Sequence, residues 1–143
     1  MKAVDTNVLV YAEITNSVHH SHAIKLLSEF AQGSAPWAIP WPCVYEFLRI
    51  ITHPKVYHPP VSIDVALRDL NSILASPSLS VLAETGSHPA MLERVVRQSA
   101  ATGNLIHDAH IVALCLEHGV TELLTADRDF TRFSGLKIKD PFV

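Results

Sequence analysis

Short apolar runs, each too brief to be a helix, recur along the chain and alternate with longer stretches of helical periodicity. Ala3-Val4, Trp37-Ala38-Ile39, Ser80-Val81-Leu82, the segment from Glu122 to Thr125, and Leu136-Lys137-Ile138 are the expected strands. Between them, Ala23, Leu26, Leu27 and Phe30 mark a helix ending at Gly33, and Pro42 suits the first turn of a helix carrying Val44, Glu46, Phe47, Leu48 and Ile51. After a proline-rich loop from His53 to Pro60, Ser62 can cap a helix containing Ile63, Ala66, Leu67, Leu70 and Leu74. Two more helices are expected from Pro89 to Ala101 and from Ile106 to His118, divided at Gly103 and ended by Gly119, with Asp108 near the start of the second. Parallel neighbours in a sheet need a crossover, usually helical, so this alternation predicts an α/β sandwich with a mainly parallel sheet. No repeat, low-complexity tract or linker interrupts it, and residues 1–143 are expected to form a single domain.

Parallel sheets gather functional groups beyond the carboxyl ends of their strands. Asp5 and Asp127 stand at or just after such ends. Together with Glu46 and Asp108 they are acids in apolar surroundings: AVDTNVLV, CVYEFLRI, LIHDAHIVAL and LLTADRDF. A buried carboxylate needs a hydrogen-bonding partner, a basic side chain or a metal ion. Carboxylates brought together raise one another's pKa, and a hard divalent cation reverses that cost. Each acid also has a purely structural explanation. Asp5 can cap the following helix, Glu46 can pair with Arg49 or Arg97, Asp108 can complement its helix dipole, and Asp127 and Asp129 can serve a turn.

The chain has 11 Lys+Arg against 14 Asp+Glu, a net charge of -3, which argues against holding nucleic acid through bulk positive charge. Cys43 and Cys115 are too few for a disulfide framework and sit in apolar runs, as small core residues do. Asp5 interrupts any signal-like hydrophobic region and no apolar stretch approaches about 18 residues, so a reducing, cytoplasmic setting without membrane contact is expected. The histidines His19, His20, His22, His107 and His110 show no Cys pair, HExxH or comparable zinc-ligand spacing.

VDTNVLVYA, the glutamate of VYEFLRI, NLIHDAHIVAL, and LLTADRDFTRF followed by GLKI occur in an order and spacing that resembles the PIN-domain ribonucleases, in particular the VapC-type toxins of type II toxin-antitoxin systems. The resemblance spans essentially the whole chain. It implies a three-layer α/β/α fold with a central, mainly parallel sheet and an acidic pocket. Asp5, Glu46, Asp108 and Asp127 would be the catalytic, metal-binding acids, with Mg²⁺, or Mn²⁺, as cofactor. Asn7 and Thr125 match polar residues that brace the pocket and, with Arg49 and Arg128, are the expected substrate-binding residues; Arg132 is a further phosphate contact, and Asp129 an outer one. The implied activity is endoribonucleolytic cleavage by metal-activated water, leaving a 5′-phosphate and a 3′-hydroxyl.

A homodimer, an RNA substrate and a VapB-type antitoxin are the implied partners. The helices from Val44 to Ile51 and from Ile63 to Leu74 are possible docking surfaces, and Trp41, Tyr45 and Tyr57 are either base-stacking groups or core. Two other functions compete: a non-catalytic RNA-binding or scaffold domain of PIN shape, and an aspartate-nucleophile phosphohydrolase. The second normally needs an Asp two residues after the first, where this chain has Asn7. With the four acids assigned to metal, ten acids remain against eleven bases. The surface outside the pocket is then nearly neutral.

Overall fold

A computed structural model describes all residues 1–143. The chain runs β1 (Lys2–Val4), α1 (Thr6–Glu13), α2 (His20–Gln32), β2 (Trp37–Pro40), α3 (Trp41–Ile51), α4 (Ile63–Leu74), β3 (Leu79–Leu82), α5 (His88–Ser99), α6 (Leu105–Glu117), β4 (Glu122–Leu124), a 3-10 turn (Arg128–Arg132) and β5 (Lys137–Lys139). All five strands are parallel, in the order β3-β2-β1-β4-β5, and form the middle layer of an α/β/α sandwich. Every expected strand and helix is present, with ends displaced by one or two residues.

The strand order positions the site. The chain winds outward from β1 through β2 to β3, then returns across the sheet to lay β4 on the other side of β1, with Val4 in register with Leu124. The reversal opens a crevice beyond the carboxyl ends of β1 and β4, because the chain leaves β1 toward β2 and leaves β4 toward β5, in opposite directions along the sheet. Asp5 and Thr125 are the residues that follow those two strands.

Local rules account for the helix ends. Ser62 Oγ accepts from the Val65 amide at 3.3 Å and caps α4. Gly119, at φ +71, takes the left-handed conformation after α6 that glycine adopts without penalty. Gly33 is extended instead; a Cβ there would lie 2.9 Å from the Glu29 carbonyl oxygen, so glycine serves for lack of room.

The core is built on β1, β2 and β4 and on α6, in which Ala109 and the five residues Ile111 to Cys115 are all buried. A helix with so little polar circumference is packed on most of its faces. The α3 face formed by Val44, Phe47 and Ile51 is core, which removes it as a docking surface; on α4, Ile63 and Leu67 remain exposed. No helix is long and apolar enough to cross a membrane.

Candidate active site

Asp5 occupies the N-cap position of α1, yet its side chain makes no capping bond. Its carboxylate is held sideways instead. Thr125 Oγ1 donates to Oδ2 at 2.7 Å, Asn7 Nδ2 donates to the same oxygen at 2.8 Å, and Cys43 Sγ lies 3.5 Å from Oδ1. Burial, then the charge of Asp5, pushes the Cys43 thiol far up, so it stays protonated and donates. Asn7 Nδ2 also donates to Thr125 Oγ1 at 2.9 Å, and Asn7 Oδ1 accepts from the Ala126 amide at 3.1 Å. The ends of β1 and β4 are thus tied together around one carboxylate that is only 4% exposed.

Asp5, Glu46, Asp108 and Asp127 line one pocket of about 300 Å³. Four different parts of the fold bring them there: the end of β1, the middle of α3, the first turn of α6 and the loop after β4. Glu46 Oε2 accepts from Thr6 Oγ1 at 3.0 Å, and its other oxygen lies 3.5 Å from Arg49, while Arg97 pairs with Glu93 instead. Asp127 Oδ1 accepts from the Asp129 amide at 2.8 Å, so the turn-capping role holds for one oxygen and leaves the other available. Carboxylate oxygens of Asp108, Asp127 and Asp129 lie within 4.8 Å of one another.

The electrostatics of this grouping are unfavourable without a cation. Burial raises the Asp5 pKa, against the hydrogen bonds from Thr125 and Cys43 that lower it. Asp108 is pushed up to about 6, first by burial and then by the charges of Asp127, Asp5, Asp129 and Glu46. Arg49 is the only basic side chain within 4.0 Å of any of these acids. Divalent cations with a preference for oxygen ligands fit such a donor set.

Against the pocket lies an open groove of about 780 Å³ lined by Trp41, Tyr45, Glu46, Arg49, Glu84, His107 and His110. Tyr45 is 66% exposed and its ring stacks on Trp41 at 5.9 Å, so it is not a core residue. Tyr57 is half-buried and lines the acidic pocket. Arg128 and Arg132 are exposed and form no ion pair. Thr125 is buried, with its hydroxyl turned to Asp5, Asn7 and the Asp127 amide, the geometry of a brace.

The PIN domain family matches residues 2–136. A ribonuclease of Mycobacterium tuberculosis, VapC48, is 33% identical over 138 residues, covering 96% of this chain and 95% of that protein. The chain belongs to the PIN-domain family, among the VapC ribonucleases. Solved PIN structures share the fold at low identity. The sarcin-ricin loop cleaving toxin VapC20 of Mycobacterium tuberculosis superposes with a TM-score of 0.65 at 17% identity, covering 95% of this chain and 96% of that one. A toxin-antitoxin complex from Klebsiella pneumoniae gives 0.63 at 17% identity, covering 99% and 98%.

Two contributors to this PIN pocket are invisible as chemistry in the sequence. Cys43 looks like an ordinary core thiol, but it stands three residues before Glu46, on the same face of α3. Thr6 lies next to Asp5 and reaches 40 residues along the chain to Glu46. The histidine clusters also differ from their sequence grouping: His19 stacks on Phe142 at 4.7 Å, and of the two histidines that line the groove with Glu84, His110 and not His107 is bonded to it.

Proposed function

We propose that the chain is a metal-dependent endoribonuclease, a VapC-type toxin in which Asp5, Glu46, Asp108 and Asp127 hold Mg²⁺, with Mn²⁺ as a substitute, and which a VapB-type antitoxin neutralises. The observation that carries this reading is the meeting of four carboxylates from four separate elements with one arginine beside them. Nothing in packing requires that arrangement, and a divalent cation removes its cost.

When bound, Mg²⁺ supplies Lewis-acid charge to the scissile phosphate and makes a water acidic enough to attack it. The chain's own part is positioning. Thr125, Asn7 and Cys43 fix the buried Asp5, and Thr6 and Arg49 fix Glu46, so these two acids keep their places as a ligand arrives. Asp108 and Asp127 complete the ring from α6 and the loop after β4. Arg49 at the groove and Arg128 on the 3-10 turn are placed to contact flanking phosphates. Asn7 disfavours the aspartate-nucleophile alternative: its amide donates to Asp5 and Thr125, and it carries no acidic proton for a leaving group.

The toxin role, the antitoxin, the homodimer, the cytoplasmic setting and the single-domain organisation follow the same reading; support comes from the VapC relatives and from the toxin-antitoxin complex of similar fold. The deciding experiment is end-mapped cleavage of a total-RNA pool with Mg²⁺ or with EDTA, comparing the wild type with Asp5→Asn and Asp108→Asn. Cleavage is expected only for the wild type with Mg²⁺. Undiminished cutting in EDTA, or full activity in both variants, overturns the proposal.

A further inference from the structure

Outside the acidic pocket, three side chains from separate segments converge at the other end of the groove. Glu84 follows β3, His88 begins α5 and His110 lies on α6, and a potential ligand atom of each is within 4.8 Å of the other two. His110 Nε2 is 2.8 Å from Glu84 Oε1. The rings of His88 and His110 meet edge-on with centroids 5.3 Å apart.

Behind His88 stands a carboxylate that no solvent reaches. The Glu117 side chain is 0% exposed, and Oε2 lies 2.6 Å from His88 Nδ1. Its Oε1 accepts from the Thr85 amide at 3.1 Å and the Thr85 hydroxyl at 2.8 Å. With Nδ1 taken up by Glu117, Nε2 is the ring nitrogen left for a ligand. Metal-ligating histidines are oriented in this way, by a carboxylate on the opposite ring nitrogen.

We propose that Glu84, His88 and His110 form a second metal site, selective for a borderline transition ion of the zinc class, in which Glu117 is the residue that positions His88. Two imidazoles and one carboxylate suit zinc, whereas the all-oxygen acidic pocket suits magnesium. Tetrahedral zinc with bonds of about 2.0–2.1 Å sets its ligand atoms about 3.3 Å apart. The ion takes the place of the proton between His110 and Glu84, opening their 2.8 Å contact slightly, while His88 closes in. Glu84 and His110, with side chains 53% and 30% exposed, have the freedom to move. Three protein ligands leave a fourth position for water or for a phosphate oxygen in the adjoining groove. This site does not depend on the nuclease reading.

The test is calorimetric titration of the EDTA-treated full chain with ZnCl₂ in excess MgCl₂, for wild type, Asp108→Asn, His110→Gln and Glu84→Gln. One zinc per chain is expected for the wild type and for Asp108→Asn, which lacks part of the acidic pocket. His110→Gln and Glu84→Gln should each weaken binding by more than about 100-fold, beyond the usual cost of losing an orienting partner. Glu117→Gln should weaken it about tenfold. Thermal melts on the same samples give an independent reading: zinc should raise the midpoint of the wild type and leave that of Glu84→Gln, an exposed change, in place. No zinc binding by the wild type, wild-type affinity in both ligand variants, or loss of binding in Asp108→Asn overturns the proposal.

Discussion

The Thr125 hydroxyl donates to Asp5 Oδ2 across 2.7 Å, joining residues 120 apart at the ends of the two strands between which the sheet reverses. Removing that donor leaves the carboxylate with less support on the oxygen that Asn7 also holds. Thr125→Val, nearly isosteric, should therefore keep the fold while lowering RNA cleavage about 10–100-fold, the cost typical of losing a partner that orients a ligand. Thr125→Ser should recover most of the activity. Equal activity in both variants, measured on one RNA at saturating Mg²⁺, would show that Asp5 does not need this brace.

Asp108 makes the metal-free protein sensitive to pH in a direction opposite to most carboxylates. Unfolded, it titrates near 3.8; folded, at about 6. The native state therefore binds the proton more tightly, and stability is lost as pH rises through that window. Asp108→Asn does not titrate. In EDTA the variant should melt at nearly the wild-type temperature at pH 4 and at a higher temperature at pH 7.5, and added Mg²⁺ should narrow the gap by stabilising the wild type. A gap independent of pH would disconnect Asp108 from its acidic neighbours.

Glu122 makes the contrasting case. It opens β4 with its side chain 10% exposed, and its oxygens lie 2.9 Å from Lys137 Nζ on β5 and 3.4 Å from Lys2 Nζ on β1. The bond from Lys137, aided by Lys2, outweighs burial and holds its pKa below the usual value. A carboxylate lowered in this way contributes stability that is present above its unfolded pKa near 4.5 and is lost as pH falls through the folded one. Glu122→Gln should cost about 1 kcal/mol at pH 7, discounted for the solvent around both lysines, and nearly nothing well below pH 4. Urea titrations at the two pH values measure it. Asp108→Asn and Glu122→Gln should thus change stability with opposite signs.

The local steps of the chain were legible in the sequence, and the long-range pairings were not. Apolar runs of strand length and the Gly and Pro boundaries locate the five strands and the helices from α2 onward, because each signal lies within a few residues of the element that it marks; α1, which no Gly or Pro borders, is marked only as the helix that Asp5 can cap. Asp5 and Asp127 could be grouped because parallel strands place their carboxyl ends together. Cys43 and Thr6 escaped because their contacts to Asp5 and Glu46 span 38 and 40 residues. Glu117 is the strongest instance: in LCLEHG it resembles a solvated helix end, yet it is buried by α5 and the Thr85 turn, elements that begin some 30 residues earlier. Its role belongs to the packing of α5 on α6, and no periodicity within either helix encodes that.

The chemistry of the pocket also constrains the ends of the cut RNA. Cleavage through the substrate's own 2′-hydroxyl calls for a base to deprotonate that group and an acid to protonate the leaving oxygen, work commonly given to histidine. The acidic pocket contains no histidine; His107 and His110 line the groove instead. Carboxylates that hold a divalent cation favour attack by water, which breaks the bond without the 2′-hydroxyl. Products should carry a 5′-phosphate and a 3′-hydroxyl, and one deoxynucleotide placed immediately 5′ of the cut should slow cleavage by less than about tenfold, below the roughly 100-fold or more that losing general acid–base assistance costs. Ligation-based end analysis of the fragments reads the first outcome, and a time course on the substituted oligonucleotide reads the second. A 2′,3′-cyclic phosphate end, or abolition of cleavage by the single deoxy substitution, would place the nucleophile in the substrate and not in the solvent.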